Sequence, residues 1–260
     1  MSNPPPPTPL CIADPATFWP WHRWPEFTHW PDPAQTTIIV PLAGMTDWGL
    51  GHPLDSEETV LLSVLKEALQ RAKPSLRALM IPPLRFVLGP SPYSAFPVSP
   101  PEAHAFLAEV TASIVASGFR RLVFYNSSPW NEELIAAAAR DLRIAHGVQI
   151  FRISLSGLGL DFLPSRSPDR RRVQTLITGL TGRAPEAPLA DVALDLSSGW
   201  GDQSLGVPPL TEPALSVPEA TDDAQGILHE SASTLQGLLQ EIAARPFLPH
   251  GGKIVQAQHP

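Results

Sequence analysis

The chain has 260 residues, 43% of them hydrophobic and 17% charged, so it can bury a sizeable core and lacks the composition of a disordered chain. A formal net charge of −7 argues against non-specific binding to nucleic acid or anionic lipid. The single cysteine, Cys11, rules out an intrachain disulfide, a CxxC redox pair and a zinc site built on several thiolates.

Residues 1–17 are a proline-rich leader, expected to be disordered or draped over the surface. Its start, MSNPPPPTPL, lacks the basic start and apolar centre of a signal peptide, and no apolar run approaches the ~20 residues of a membrane span. A cytoplasmic protein without membrane or nucleic-acid partners is the expectation. An arm over 18–35 follows, in which FWPWHRWPEFTHWPD holds Trp19, Trp21, Trp24 and Trp30. Indoles are costly to leave in water, so the arm is expected to cap the body or contact a neighbouring subunit, with a ligand-binding aromatic surface as the alternative.

TTIIVPLAG (36–44) reads as a buried strand. SEETVLLSVLKEALQRA (56–72) reads as a helix with Ser56 as its N-cap, Glu57 and Glu58 in its first turn and basic residues in its last. LRALMIPPLRF (76–86) supplies a second strand, and PPEAHAFLAEVTASIVASGF (100–119) a helix that stops at Gly118. RRLVFYN (120–126) is a strand, NEELIAAAARDLRIAHG (131–147) a helix and VQIFRISL (148–155) a strand. Residues 157–189 are rich in Arg, Pro and Gly and resist assignment, LADVALDLSSGWGDQSLGVPP (189–209) holds a strand or turn, and 216–245 contains a C-terminal helix. The alternation implies a single α/β domain over 18–245, a mainly parallel sheet flanked by helices, with a flexible tail over 246–260. In such sheets ligands bind outside the carboxyl ends of the strands.

Two turns lie at such ends, after Val40 and after Tyr125. The second, FYNSSPWNEEL (124–134), has the shape of an active-site turn but offers serines, a proline and a tryptophan. Ser127, Ser128, Ser197, Ser198 and Ser204 stand near loop ends without a G-x-S-x-G elbow. His104, on a helix face, and His146, at a helix C-terminus, have no evident acid partner, and no phosphate-binding glycine loop occurs.

Four phrases, in order, resemble the creatininase (creatinine amidohydrolase) family. The family phrase P-x-G-S-x-E-x-H-G-x-H-L-P-L-x-x-D is matched by PLAGMTDWGLGHPLDSE (41–57), and G-F-R-R-hydrophobic-N-G-H-G-G-N by GFRRLVFYNSSPWN (118–131). RWPEF (23–27) matches an upstream phrase, and ATDDAQG (220–226) a later helix start with one residue extra. The resemblance implies a creatininase-like three-layer fold and an amidohydrolase in which two divalent ions, zinc or manganese, activate a bridging water. It places the family's ligands on Thr46, Trp48, Glu57, Ser128 and Trp130, and a later acidic phrase on Ser197–Ser204, with Asp202 at its acid. Hydroxyls are poor neutral ligands, and an indole N–H donates only.

The expectation is therefore a catalytically degenerate protein, a non-catalytic subunit, scaffold or small-ligand binder paired with an active enzyme. Asp47, His52, Asn126, Asn131 and Trp200 would line the old pocket, and the two asparagines would hold the turn by local hydrogen bonds. Trp19, Trp21, Trp24 and Trp30 would bind the partner, in a homo-oligomer or a hetero-oligomer with a related or pathway enzyme. No cofactor is expected. The alternative is a divergent amidohydrolase acting on a cyclic or linear amide, with zinc, manganese or iron held by His52, Asp55 and Glu57, and with Asp47 or Asp202 sharing the chemistry.

Overall fold

A computed structural model of the chain describes residues 17–72, 76–89, 94–163, 166, 170–186 and 221–246, without the side chains of 221 and 222. At its centre is β1 (Thr37–Ala43), buried along its whole length. On one side it pairs with β6 (Arg121–Asn126), which pairs with β7 (Gln149–Ser154). On the other side lie β2 (Ala78–Met80) and β3 (Leu84–Arg85), and every pairing in this sheet is parallel. The strand expected over 76–86 is broken in two. Ile81-Pro82-Pro83 separates the pieces because proline has no N–H to give to a ladder. A separate two-stranded pair, β4 (Val87–Leu88) and β5 (Pro97–Val98), follows.

Alternate residues of each strand face different cores. Ile39, Ala43, Val123 and Tyr125 face α2 (Ser56–Ala72), α5 (Arg171–Thr181) and α6 (Thr221–Ala244). Ile38, Val40, Leu42, Leu122 and Phe124 face α3 (Pro100–Ala116) and α4 (Glu132–His146). The result is an α/β/α sandwich whose sheet is covered on both faces, as parallel sheets require. Among the described residues no helix is long and apolar enough to cross a membrane.

Local chemistry sets the helix ends. α3 starts from a capping box in which the Ser99 hydroxyl accepts from the Glu102 amide and the Glu102 carboxylate receives the Ser99 N–H. α4 ends on Gly147, whose φ of 62° suits a residue without Cβ, with Arg143 and His146 at the negative end of its dipole. Ser56 corrects an expectation. It is the first residue of α2, and its hydroxyl donates back to the Pro53 carbonyl, 2.5 Å away, while the Asp55 carbonyl accepts from Thr59. α5 falls in the stretch that resisted assignment. Its Val173, Leu176 and Ile177 form one buried stripe at helical spacing.

The tryptophan arm splits in two. Thr17 accepts a backbone bond from Met80, and a short helix α1 (Trp24–Phe27) follows. Trp19 stacks on Phe27 at 4.4 Å and reaches Phe119 at 5.1 Å, while Trp30 stacks on Phe27 and donates to Thr36 at 3.1 Å. These two indoles cap the core. Trp21 and Trp24, 51% and 71% exposed, do not.

At the amino end of the sheet, Arg121 is fully buried. Its Nε donates to Gln149 Oε1, Nη1 to the Gln35 and Ala243 carbonyls, and Nη2 to Gln35 Oε1 and the Arg245 carbonyl. The end of α6 is thereby fastened to the sheet.

Candidate functional site

At the opposite, carboxyl end of the sheet, β1 runs into Gly44 and β6 into Ser127. The Ser127 amide extends the ladder to the Leu42 carbonyl at 3.0 Å, which brings the Ser127 hydroxyl within 3.1 Å of the Gly44 N–H. Glu57 enters this corner from the first turn of α2 and is 0% exposed. Ser127 Oγ donates to Glu57 Oε2 at 2.9 Å, and Trp48 Nε1 donates to Oε1 at 2.8 Å. A Cβ on Gly44 would lie 2.5 Å from Oε2, so the corner admits the carboxyl only because residue 44 has no side chain.

Burial pushes the Glu57 carboxyl up to about 7, against hydrogen bonds from Trp48, Ser127, the Gly44 backbone and Thr46 that favour the anion. The corner serves both protonation states. When Glu57 carries its proton, Oε2 donates to Ser127 and the serine hydroxyl turns to the Leu42 carbonyl, 3.4 Å away.

Aromatic rings lie beside the carboxyl. Trp48 is buried and stacks on Trp130 at 5.8 Å with planes 16° apart, and Phe162 lies 6.1 Å from Trp48. Ser128 is buried, and neither its hydroxyl, the Trp130 Nε1 nor the Tyr125 hydroxyl has a hydrogen-bond partner among the described residues. Asn126 closes the turn locally: its side chain donates to the Ser128 carbonyl at 2.7 Å and accepts from the Ser128 amide at 3.3 Å. Asn131 does not act locally, contrary to expectation. It donates to the Phe86 carbonyl and accepts from the Leu88 amide, both at 3.0 Å, and so clamps the β3–β4 junction to the turn.

The other candidate residues are dispersed. Thr46 is buried, with its hydroxyl 2.8 Å from Ser94 Oγ. Asp47 is exposed and accepts from the Gly49 amide, and Asp55 is exposed as well. Half-buried His52 has Nε2 3.4 Å from Thr178 Oγ1, and burial lowers its pKa, favouring the neutral ring. The set His52, Asp55 and Glu57 is not brought together. Among the described residues no three His, Cys, Asp or Glu side chains converge as an ion would require. His104 has an acid partner after all, Asp141, with Nε2 3.6 Å from Oδ2. Trp200 and Asp202, with Ser197, Ser198 and Ser204, lie outside the described residues.

The structure thus joins Thr46, Trp48, Glu57 and Trp130 and adds Ser127, Gly44 and Phe162. Only Ser127 left a sequence signal, as a hydroxyl directly after a strand.

The sequence model of creatinine amidohydrolase, the creatininase family, matches residues 22–188. The chain belongs to the creatininase family. Solved structures share the fold. A glutamate-to-glutamine variant of creatininase complexed with creatine has a TM-score of 0.62 at 17% identity, covering 88% of this chain and 100% of its own. A putative creatinine amidohydrolase from Bacteroides fragilis NCTC 9343 gives 0.60 at 14%, covering 90% and 99%. A further creatininase gives 0.62 at 15%, covering 90% and 100%. No curated protein matches the chain.

Proposed function

We propose that this creatininase-family chain is a non-catalytic member, a subunit, scaffold or small-ligand binder working beside an active enzyme. The observation that carries the reading is the Trp48–Glu57 bond at 2.8 Å beneath the Trp48–Trp130 stack. Related structures bear the names of their metals, a zinc–zinc form and a manganese form. The residues here do not suit such ions. Trp48 and Trp130 stand on two of the family's ligand positions, and an indole N–H has no lone pair to give. Thr46 and Ser128 offer neutral hydroxyls. Glu57 is the one carboxylate among these five positions, and its oxygens are engaged by an indole N–H and a serine hydroxyl. The carboxyl's raised pKa further weakens it as an anionic ligand near neutrality.

Retention of the sandwich, with Trp21 and Trp24 left exposed on an otherwise docked arm, supports a role in assembly. Metal analysis of protein purified without chelator tests the proposal. It is expected to give far less than stoichiometric zinc, manganese or iron. A stoichiometric metal would reinstate a hydrolase on amide C–N bonds.

A further inference from the structure

The loop that carries Trp48 is held from outside the pocket. Arg170, Gln174 and Thr178 are four residues apart, so they share one face of α5 and its N-cap. Arg170 Nη1 donates to the Trp48 carbonyl at 2.5 Å, Gln174 Nε2 to the Leu50 carbonyl at 3.4 Å, and Thr178 Oγ1 lies 3.4 Å from His52 Nε2. Three polar side chains in a row thus meet three alternate residues of the loop. Between them, the Gly51 carbonyl accepts from the Glu186 amide at 2.8 Å. Gly49 and Gly51, with φ of 66° and 67°, let the loop take the required left-handed path, and a Cβ on Gly51 would lie 2.2 Å from the Glu186 carbonyl oxygen.

Gln174 is the informative member. It is 3% exposed, and its Oε1 has no partner among the described residues. A buried amide with half its capacity unused opposes stability, and leucine at that position would fill similar volume without the desolvation cost. Its amide N–H donates to the loop. α5 in turn has little slack, because a Cβ on Gly179 would lie 2.3 Å from the Ala224 Cβ of α6.

We propose that Gln174 and Thr178, with Arg170, are positioning residues that seat the Trp48 indole on Glu57, so that opening of the inner corner is governed from α5. The inference rests on the proposed function above, but is decided by a different measurement. Metal content decides that reading, and exchange of one indole proton decides this one.

The test is hydrogen exchange of the tryptophan indole N–H signals by NMR in the full chain, with Trp48 assigned from a Trp48→Phe spectrum. In Gln174→Leu the Trp48 indole should exchange about tenfold faster, the effect of losing roughly one hydrogen bond's worth of restraint, while the urea midpoint moves little, because relief of the buried amide offsets the orphaned Leu50 carbonyl. Thr178→Val should act in the same direction more weakly. Unchanged Trp48 exchange in both variants overturns the proposal. So does acceleration of Trp48 in step with the β6 amides, which would mean that these residues only support the fold.

Discussion

Among the described residues, two charged-type side chains with no exposed surface, Arg121 and Glu57, lie at opposite ends of the same sheet and are accommodated by opposite means. Arg121 cannot give up its proton, so the amino end supplies an acceptor for each of its five N–H groups. Glu57 can take up a proton, so the carboxyl end tolerates it with hydrogen bonds and a pKa near 7. Arg121 is a fastener whose replacement disrupts everything around it. Glu57 is a buried acid whose ionised form opposes folding. At the amino end every N–H of Arg121 has an acceptor, although the neighbouring Thr37 hydroxyl has no partner among the described residues. At the carboxyl-end corner, three buried polar atoms, on Tyr125, Ser128 and Trp130, lack partners among the described residues.

The largest effect should come from the fastener. Arg121→Ala orphans acceptors on Gln35, Gln149, Ala243 and Arg245 together, and should cost about 3–5 kcal/mol in urea unfolding. A loss below about 1 kcal/mol would mean that water replaces the guanidinium and that the two ends are less different than described.

Glu57 should behave in the opposite sense. Its folded pKa lies above the ordinary carboxyl value, so the folded state binds the extra proton and stability falls as pH rises from 4.5 to about 7, then levels off. Glu57→Gln removes that slope. At pH 8 the variant should be more stable than wild type by up to roughly 3 kcal/mol, since each pKa unit is worth about 1.4. Parallel stability curves for the two proteins between pH 4.5 and 8 would contradict the raised pKa.

Asn131→Ala leaves the Phe86 carbonyl and Leu88 amide unpaired and should cost about 2 kcal/mol, with faster amide exchange at Leu88 as its local sign. The smallest stability effect belongs to the exposed part of the arm. Trp24→Ala should change the unfolding free energy by less than about 0.5 kcal/mol, whereas Trp19→Ala should cost about 3. If Trp24 belongs to an assembly surface, the same silent substitution should lower the mass in solution or abolish partner capture. Undiminished assembly in a Trp21→Ala, Trp24→Ala double variant would remove the arm from that role.

How much of this was legible in the sequence varies along the chain. β1, α2, α3, β6, α4 and β7 are legible because their apolar spacing and end residues agree with their surroundings. α5 was hidden because Arg, Pro and Gly around it outweighed a stripe of Val173, Leu176 and Ile177 that spans little more than one turn. The break between β2 and β3 was written in Pro82-Pro83 and could have been taken from them. The site was legible only in part. Acids in a first helical turn are ordinarily solvated, and nothing local in Ser56-Glu57-Glu58 reveals that Glu57 turns inward. That direction is set by Ser127, 70 residues away, and by the absence of a Cβ at Gly44. Asn131 likewise read as a local turn residue because its partners, Phe86 and Leu88, are remote in sequence.

Trp48 and Glu57 close the carboxyl-end corner, which we propose leaves no metal site there. Calorimetric titration of zinc and of manganese into wild type and Glu57→Gln tests it directly. Superimposable isotherms are expected for the two proteins, with no saturable binding that depends on Glu57. Stoichiometric binding to wild type that disappears in Glu57→Gln would contradict it.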